Sequence, residues 1–170
     1  MLGNAPYTFT YNINGGANQT VTSAGTDATV SIAAPTGVVG DFKYNLINVQ
    51  DANLTTCGFT NDDITVKINE LPTASITATP SICETDNGTV TFTGADGVAP
   101  YTFTYNVNGG ATQSISTTSG NTTTITMSDV PGNYVYTLED VTDANTCNQV
   151  QTTAATICLL YTSDAADETC

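Results

Sequence analysis

The sequence contains no histidine, no tryptophan and only two basic residues, Lys43 and Lys67. Without histidine there is no imidazole to serve as a general base or a metal ligand, which excludes Ser-His-Asp and Cys-His catalysis. Nucleic-acid binding needs basic patches that neutralise phosphates, and a formal net charge of −14 argues strongly against it. The same charge opposes docking on anionic membrane surfaces.

Long apolar runs and helical patterns are also missing. No run of about eighteen apolar residues is present, so we expect no membrane insertion. No segment keeps apolar residues at helical spacing over three turns. The residues Met1–Asn4 have neither the basic nor the apolar region of a signal peptide.

Threonine is the commonest residue, at 35 of 170 positions, and glycine, asparagine, serine, valine and isoleucine follow. Branched side chains suit a pleated strand, and glycine and asparagine supply turns. A hydrophobic content of 39% is enough for a core. The composition therefore predicts an all-β fold.

An internal repeat organises the chain. Residues 5–16 recur at 99–110, and of the twelve positions only one differs, Ile13 being replaced by Val107. The correspondence continues: Val30-Ser31-Ile32 answers Ile125-Thr126-Met127, whose alternation predicts a strand, and Asp51-Ala52-Asn53 answers Asp143-Ala144-Asn145. An offset of 94 residues is too long for a solenoid repeat but fits one immunoglobulin-sized sandwich of about 100 residues. We therefore predict tandem Ig-like antiparallel β-sandwiches.

In the second repeat, apolar residues alternate with threonine and asparagine, which predicts strands with one buried face. We expect a seven-stranded antiparallel sandwich over residues 73–157, and Asn108-Gly109-Gly110 predicts a hairpin turn. The residues predicted to point inward are Phe92, Tyr101, Phe103, Tyr105, Ile125, Tyr136 and Leu138.

The boundaries of the repeats follow from this alignment. Residues 71–157 form a complete Ig-like repeat, and Asn69–Pro72 is the predicted linker. About 25 residues that precede Ala99 in the second repeat have no counterpart before Ala5. We therefore expect residues 1–70 to be an incomplete repeat that lacks its first two strands and keeps the last five. Its apolar face and strand edges would then be left open.

The composition changes abruptly at Cys158. Residues 158–168 resemble the translation of a sequencing-library adapter, and we predict that residues 158–170 form a non-native tail without contacts to the sandwich.

Three of the five cysteines lie within the repeats. Cys57 and Cys147 occupy the same place in the two repeats, and Cys83 precedes the strand that contains Val90. We predict a disulfide between Cys83 and Cys147 with Cys57 unpaired, which indicates an oxidising compartment. The alternative is a pair of buried free thiols in a cytosolic protein.

Two pairs of acidic residues could serve glycoside chemistry, Asp140 with Asp143 and Glu84 with Asp86. All four lie in loop-like sequence, where solvated turn acids are the simpler interpretation. Nor do the Gly-rich turns form a phosphate-binding loop, because no lysine and no helix follows them. We predict no catalytic residue and no cofactor.

Calcium binding needs only oxygen ligands, which this chain has in quantity. Asp140, Asp143 and Asn145 cluster in the sequence, but their spacing is not that of an EF-hand loop. Asp51 and Asn53 repeat only part of the cluster in the first repeat. We therefore predict no metal site, with calcium near Asp140 and Asp143 as the alternative.

Three motifs resemble a known family. They are the repeated Ala-Pro-Tyr-Thr-Phe-Thr-Tyr-Asn-x-Asn-Gly-Gly, the Asp-Ala-Asn…Thr…Cys stretch, and Leu-Pro-Thr-Ala-Ser-Ile before Pro80-Ser81-Ile82-Cys83. The stretch from Ala5 to Ile157 is similar to tandem Ig-like repeats of large surface adhesins and gliding-motility-associated proteins of Bacteroidota. The resemblance implies export to the cell surface but defines no binding residues.

Two functions follow from these expectations. The first is a non-catalytic structural or adhesive module whose partners are neighbouring repeats of the same chain and surface glycans or proteins. The second is an accessory Ig-like module of a large secreted polysaccharide-degrading enzyme.

Overall fold

A computed structural model describes residues 3–54, 62–83, 87–127 and 132–160. Within these ranges the chain contains strands, turns and irregular segments but no helix, which confirms the all-β prediction. The chain divides into two compact units, residues 1–68 and residues 69–170.

The described residues of the first unit form one antiparallel sheet with the strand order β2-β1-β3-β4. Its strands are β1 (Thr8–Ile13), β2 (Gln19–Thr22), β3 (Gly40–Gln50) and β4 (Asp63–Ile68). Five strands were expected, and the described part of this unit has four. The missing one is Val30-Ser31-Ile32, which aligns with a strand of the second unit but forms none here.

The second unit contains two sheets, a three-stranded one and a six-stranded one. Its strands are β5 (Thr73–Ala78), β6 (Ser81–Cys83), β7 (Thr89–Ala95), β8 (Thr102–Val107), β9 (Gln113–Ser116), β10 (Thr122–Thr126), β11 (Gly132–Thr142), β12 (Asn148–Val150) and β13 (Ala154–Leu160). The three-stranded sheet has the order β10-β7-β5. The larger sheet has the order β6-β13-β11-β8-β9, and β12 pairs with β11.

The described part of this unit therefore has nine strands, where seven were predicted over residues 73–157. The two extra strands, β6 and β12, have three residues each, too few to show a repeating pattern in the sequence. Among the described strands all pairs are antiparallel except β6 and β13, which run parallel.

The core of the second unit lies between its two sheets. Phe92 on β7 meets Phe103 and Tyr105 on β8, with ring centroids 5.6 and 5.0 Å apart. Six of the seven residues predicted to point inward are buried, namely Phe92, Tyr101, Phe103, Tyr105, Tyr136 and Leu138. The seventh, Ile125, is partly buried and packs against this core.

The last described strand corrects the prediction of a tail that begins at Cys158. β13 continues through Leu160 and pairs with both β11 and β6. Ile157 and Leu159 are 0% and 5% exposed, so the alternation of the strand runs across the predicted boundary. Composition changes at Cys158, but the periodicity that determines strand packing does not. Residues 161–170 lie outside the described residues.

Candidate functional site

The predicted acidic cluster lies in the second unit, at the end of β11. Asp143 is 5% exposed, and its carboxylate accepts three backbone hydrogen bonds. Asn145 N and Cys147 N donate to Oδ1, each at 2.9 Å, and Val98 N donates to Oδ2 at 3.0 Å. The side chain therefore ties the turn after β11 to the loop before β8, which is a structural role.

Asp51 occupies the same position in the first unit and is 8% exposed. Asn53 N donates to its Oδ1 at 3.0 Å, and Asn4 N donates to its Oδ2 at 3.3 Å. The local sequence Asp-Ala-Asn thus forms the same carboxylate-capped turn in both units. Charge-assisted bonds of this kind are among the stronger hydrogen bonds in proteins.

This geometry argues against calcium at Asp143. Its oxygens face N–H groups, whose positive ends repel a cation, so the two carboxylate oxygens are not arranged as metal ligands. Asp140 has other partners, accepting hydrogen bonds from Asn148 Nδ2 at 3.1 Å and from Thr142 Oγ1 at 3.5 Å. No group of three or more metal-ligating side chains occurs among the described residues.

Glu84 and Asp86, the second predicted acidic pair, lie outside the described residues. The turn at Asn108-Gly109-Gly110 joins β8 to β9 as predicted, with Asn108 at a φ of 51°. Asn108 Oδ1 accepts a hydrogen bond from Val135 N at 2.8 Å, so this side chain fixes the hairpin against β11. The turn therefore has a structural role rather than that of a phosphate-binding loop.

The predicted disulfide between Cys83 and Cys147 is wrong. Cys147 is a free cysteine, and Cys158 forms a disulfide instead. The strand register explains why Cys83 and Cys147 do not pair. Cys83 lies opposite Leu160 on β13. The adjacent residue Leu159 lies opposite Gly132, so Cys83 lies near the start of β11.

Cys147 follows Thr142, at the other end of β11. At about 3.3 Å per residue the two cysteines are roughly 30 Å apart, whereas a disulfide needs Cα atoms within about 7 Å. The alignment of the repeats does not show at which end of the sandwich each cysteine lies, so the sequence alone does not exclude a disulfide between them. Cys57 and Cys170 lie outside the described residues.

Three tyrosines in the core of the second unit have perturbed acidity. Burial raises the pKa of Tyr101, and the nearby charges of Asp143 and Asp96 raise it further. Burial also raises the pKa of Tyr105 and Tyr136. The hydroxyl of Tyr101 donates to Gly97 O at 2.7 Å, so this phenol is held neutral by packing and by a hydrogen bond to the backbone.

One concave surface of the first unit is an apolar groove of about 500 Å³. Its floor is the sheet, through Phe9, Tyr11, Tyr44 and Leu46, and one wall is the irregular segment 28–34. We call this surface the open face. An open apolar face was expected from the alignment, but the wall was not, because Val30 and Ile32 were predicted to form a strand.

The one basic side chain with an ion pair in the described residues lies near this groove. Lys43 on β3 forms an ion pair with Asp63 on β4 across the sheet. The hydrogen bond from Lys43, together with its positive charge, lowers the pKa of the Asp63 carboxyl. Both side chains are about half exposed, at 52% and 53%. Such a surface pair contributes little to stability and is screened by salt.

No protein-family model matches the chain, and no curated protein matches it significantly. Within the described ranges the structure has no helix that could cross a membrane.

Proposed function

We propose that this chain is a non-catalytic structural or adhesive repeat of a large secreted or cell-surface protein. The observation that carries the proposal is the repetition itself. Two compact β units follow one another, and an almost identical twelve-residue segment forms the same hairpin in each. Many cell-surface domains have a β-sandwich architecture, and a row of such units would place one part of a protein at a distance from another.

The polar side chains that the sequence offers for chemistry support this interpretation. Asp51 and Asp143 are engaged by backbone N–H groups, and Asn14 and Asn108 brace the hairpins. These hydrogen bonds stabilise the turns. The disulfide at Cys158 further supports an oxidising compartment outside the cytosol.

The outward faces also suit a module exposed to solvent. Threonine and serine hydroxyls pair across neighbouring strands, as between Thr102 and Ser116 at 2.8 Å and between Thr8 and Thr22 at 3.1 Å. Such pairs stabilise a sheet without exposing apolar surface. A net charge of −14 keeps copies of the chain apart and soluble.

Antibodies against the chain test the proposal on intact cells that carry this sequence. We expect them to label the outer surface before lysis, and external protease to remove the label. Label that appears only after lysis would contradict a surface location.

The second experiment separates the proposal from an accessory module of a polysaccharide-degrading enzyme. The parent protein is captured with the same antibodies and incubated with a panel of polysaccharides. We expect no release of reducing sugar ends. Release by the captured protein, absent from a mock capture, would favour the enzyme.

A further inference from the structure

The two hairpin turns contain the same short motif, Asn-x-Asn-Gly-Gly, at residues 12–16 and 106–110. Its second asparagine has a left-handed backbone, with a φ of 51° at both Asn14 and Asn108. An Asn-Gly pair is well suited to such a turn. Asparagine is also a thermolabile residue, however, and it is most reactive before glycine, because glycine has no side chain to shield its backbone nitrogen. The motif therefore combines good turn geometry with a chemically labile bond.

The reaction at such a bond is deamidation through a cyclic imide. The glycine nitrogen attacks the side-chain carbonyl carbon of the asparagine, a new N–C bond forms, and the C–N bond to the NH2 group breaks. The proton of the glycine N–H leaves with that group as ammonia, and water then opens the ring to aspartate or isoaspartate. The attack needs a free glycine N–H and a side chain that can turn until the reacting atoms are about 3–3.5 Å apart.

In the second unit both reacting groups are held in other contacts. Gly109 N donates a hydrogen bond to Asn106 Oδ1 at 3.0 Å. The side chain of Asn108 accepts a hydrogen bond from Val135 N at 2.8 Å and donates one to Asn133 O at 3.4 Å. The side chain is therefore held against β11, and it cannot turn toward the glycine nitrogen without breaking both bonds.

The first unit repeats these three hydrogen bonds. Gly15 N donates to Asn12 Oδ1 at 3.2 Å. Asn14 accepts from Lys43 N at 2.7 Å and donates to Asp41 O at 3.2 Å. Because the two units differ in their surroundings but share these bonds, the bonds follow from the motif itself.

The first asparagine of each motif has a further polar partner that fixes its side chain. Asn106 Nδ2 donates to Glu139 Oε1 at 2.7 Å, which leaves Asn106 Oδ1 directed at the glycine N–H. Asn12 Oδ1 accepts a second hydrogen bond, from Asn45 Nδ2 at 2.8 Å. We call Asn12 and Asn106 the guard asparagines.

We propose that the guard asparagines protect the Asn-Gly bonds that follow them from deamidation. Asn14 and Asn108 are then modification sites that are closed in the folded chain and open only when the hairpin is lost. Three hydrogen bonds must break before the attack, which slows the reaction at least about tenfold.

Modification at these sites would damage the turn. Aspartate at position 108 would direct an oxygen instead of an N–H group toward Asn133 O, and isoaspartate would add a methylene group to the backbone. A hairpin that had opened and reacted would therefore not reform with the same hydrogen bonds. This inference concerns the chemical lifetime of the chain and does not depend on where the chain is located.

The test compares the full chain with a synthetic peptide of residues 103–113, blocked at both ends, which has the same Asn-Gly bond without β11. Both are incubated at neutral pH and physiological temperature. Mass spectrometry of proteolytic fragments then follows the mass increase that accompanies replacement of NH2 by OH. We expect Asn108 to react at least about tenfold more slowly in the chain than in the peptide.

Variants of the full chain identify the contact that protects. Asn12→Ala removes the acceptor of Gly15 N and should speed deamidation of Asn14 about fivefold. Asn12→Asp is the matched control, because it keeps an oxygen for the same N–H group and should leave the rate at Asn14 unchanged. Asn106→Ala should speed deamidation of Asn108 in the same way.

A further variant separates protection by the guard asparagines from the stability of the hairpin as a whole. Thr102→Ala removes the hydroxyl pair with Ser116 at the other end of β8 and should leave the rate at Asn108 unchanged. Hydrogen exchange of β1 and β8 checks that each variant keeps its hairpin. If an alanine variant loses its hairpin, the comparison of chain and peptide still decides the proposal.

Three results would overturn the proposal: equal rates in chain and peptide, alanine variants that react no faster than the unmodified chain, or a Thr102→Ala variant that reacts as fast as Asn106→Ala. The third would assign the protection to hairpin stability alone. None of these results affects the surface-labelling test, so failure here is distinguishable from failure of the proposed function.

Discussion

The two units place nearly identical segments in different surroundings. Phe103, Leu138 and Val141 are 0% exposed in the second unit, whereas their counterparts Phe9, Leu46 and Val49 are half-buried in the first. Hairpin geometry, cross-strand hydroxyl pairs and the aspartate-capped turn are the same in both. Local sequence therefore determines the hairpin, and the opposing sheet determines the burial of these three side chains. Tyr11 is the exception, since it is 9% exposed without an opposing sheet and its counterpart Tyr105 is 6% exposed with one.

The largest expected difference concerns the paired phenylalanines. Phe103→Ala removes a fully buried ring and should cost the second unit about 3–5 kcal/mol of unfolding free energy. Phe9→Ala removes a half-buried ring and should cost the first unit only about 1 kcal/mol, because less apolar area leaves water there. Hydrogen exchange resolved along the full chain measures both. Equal losses would show that the two faces are covered alike.

A glycine gives the next largest effect. A Cβ on Gly94 would lie 2.5 Å from Cγ of Tyr101, so Gly94→Ala should destabilise the second unit by about 1–3 kcal/mol. Gly37→Ala in the first unit is the control, because a Cβ there has no neighbour within 4 Å. Thermal unfolding of the two variants is compared with that of the unmodified chain. A tolerated alanine at residue 94 would mean that the Tyr101 ring can move aside.

The capped turns allow a matched comparison between the units. Asp143→Asn replaces one carboxylate oxygen by an NH2 group that faces a backbone donor, and we expect a loss of about 1–3 kcal/mol. Asp51→Asn makes the same change in the first unit and should be no more costly. Urea unfolding monitored by hydrogen exchange distinguishes them. Calcium-dependent stabilisation of the unmodified chain that Asp143→Asn abolishes would instead support a metal site.

Alkaline pH should affect the second unit through its buried tyrosines. Tyr101 has a pKa raised above the ordinary value of 10.0 in the folded state. Its contribution is therefore complete below that pH and is lost as the pH rises above it, because the unfolded chain ionises first. Thermal unfolding from about pH 9 to about pH 11 measures the slope. Tyr101→Phe should reduce that slope, and an unchanged slope would exclude this tyrosine as a cause.

The smallest effect on stability is expected at the free thiol. Cys147→Ser should change unfolding free energy by no more than about 0.5 kcal/mol, since no disulfide is lost. Alkylation of the non-reduced protein should modify Cys147, while Cys158 should react only after reduction. If Cys147 is not alkylated before reduction, the result would support the disulfide with Cys83 that the strand register excludes.

Alternation in the sequence predicted the all-β class and the inward side of the long strands, as at Tyr101, Phe103 and Tyr105. It missed β6 and β12, which are too short to show a period. It also predicted a strand at Val30-Ser31-Ile32 by alignment with the second repeat. A strand needs a partner for its backbone, however, and residues 28–34 have none among the described strands.

The acidic residues were predicted to lie in solvated turns, which is correct for neither of the two that the structure describes: Asp140 lies within β11, and Asp143 lies in the turn after β11 but is only 5% exposed. Whether a carboxylate points to solvent or caps a buried turn depends on the backbone around it, as at Asp143. The predicted pairing of Cys83 with Cys147 was wrong for a similar reason. Sequence shows spacing along the chain, whereas the end of the sandwich at which Cys83 lies is set by its pairing with β13.

The parallel contact of β6 and β13 has a mechanical consequence. β5 and β6 are separated only by Thr79 and Pro80, and β13 is the last described strand of the unit. Tension applied at residues 73 and 160 would slide β6 along β13 rather than peel them apart. The paired positions from Ser81–Cys158 to Cys83–Leu160 would then bear the load together. A unit built in this way resists being stretched between its two ends.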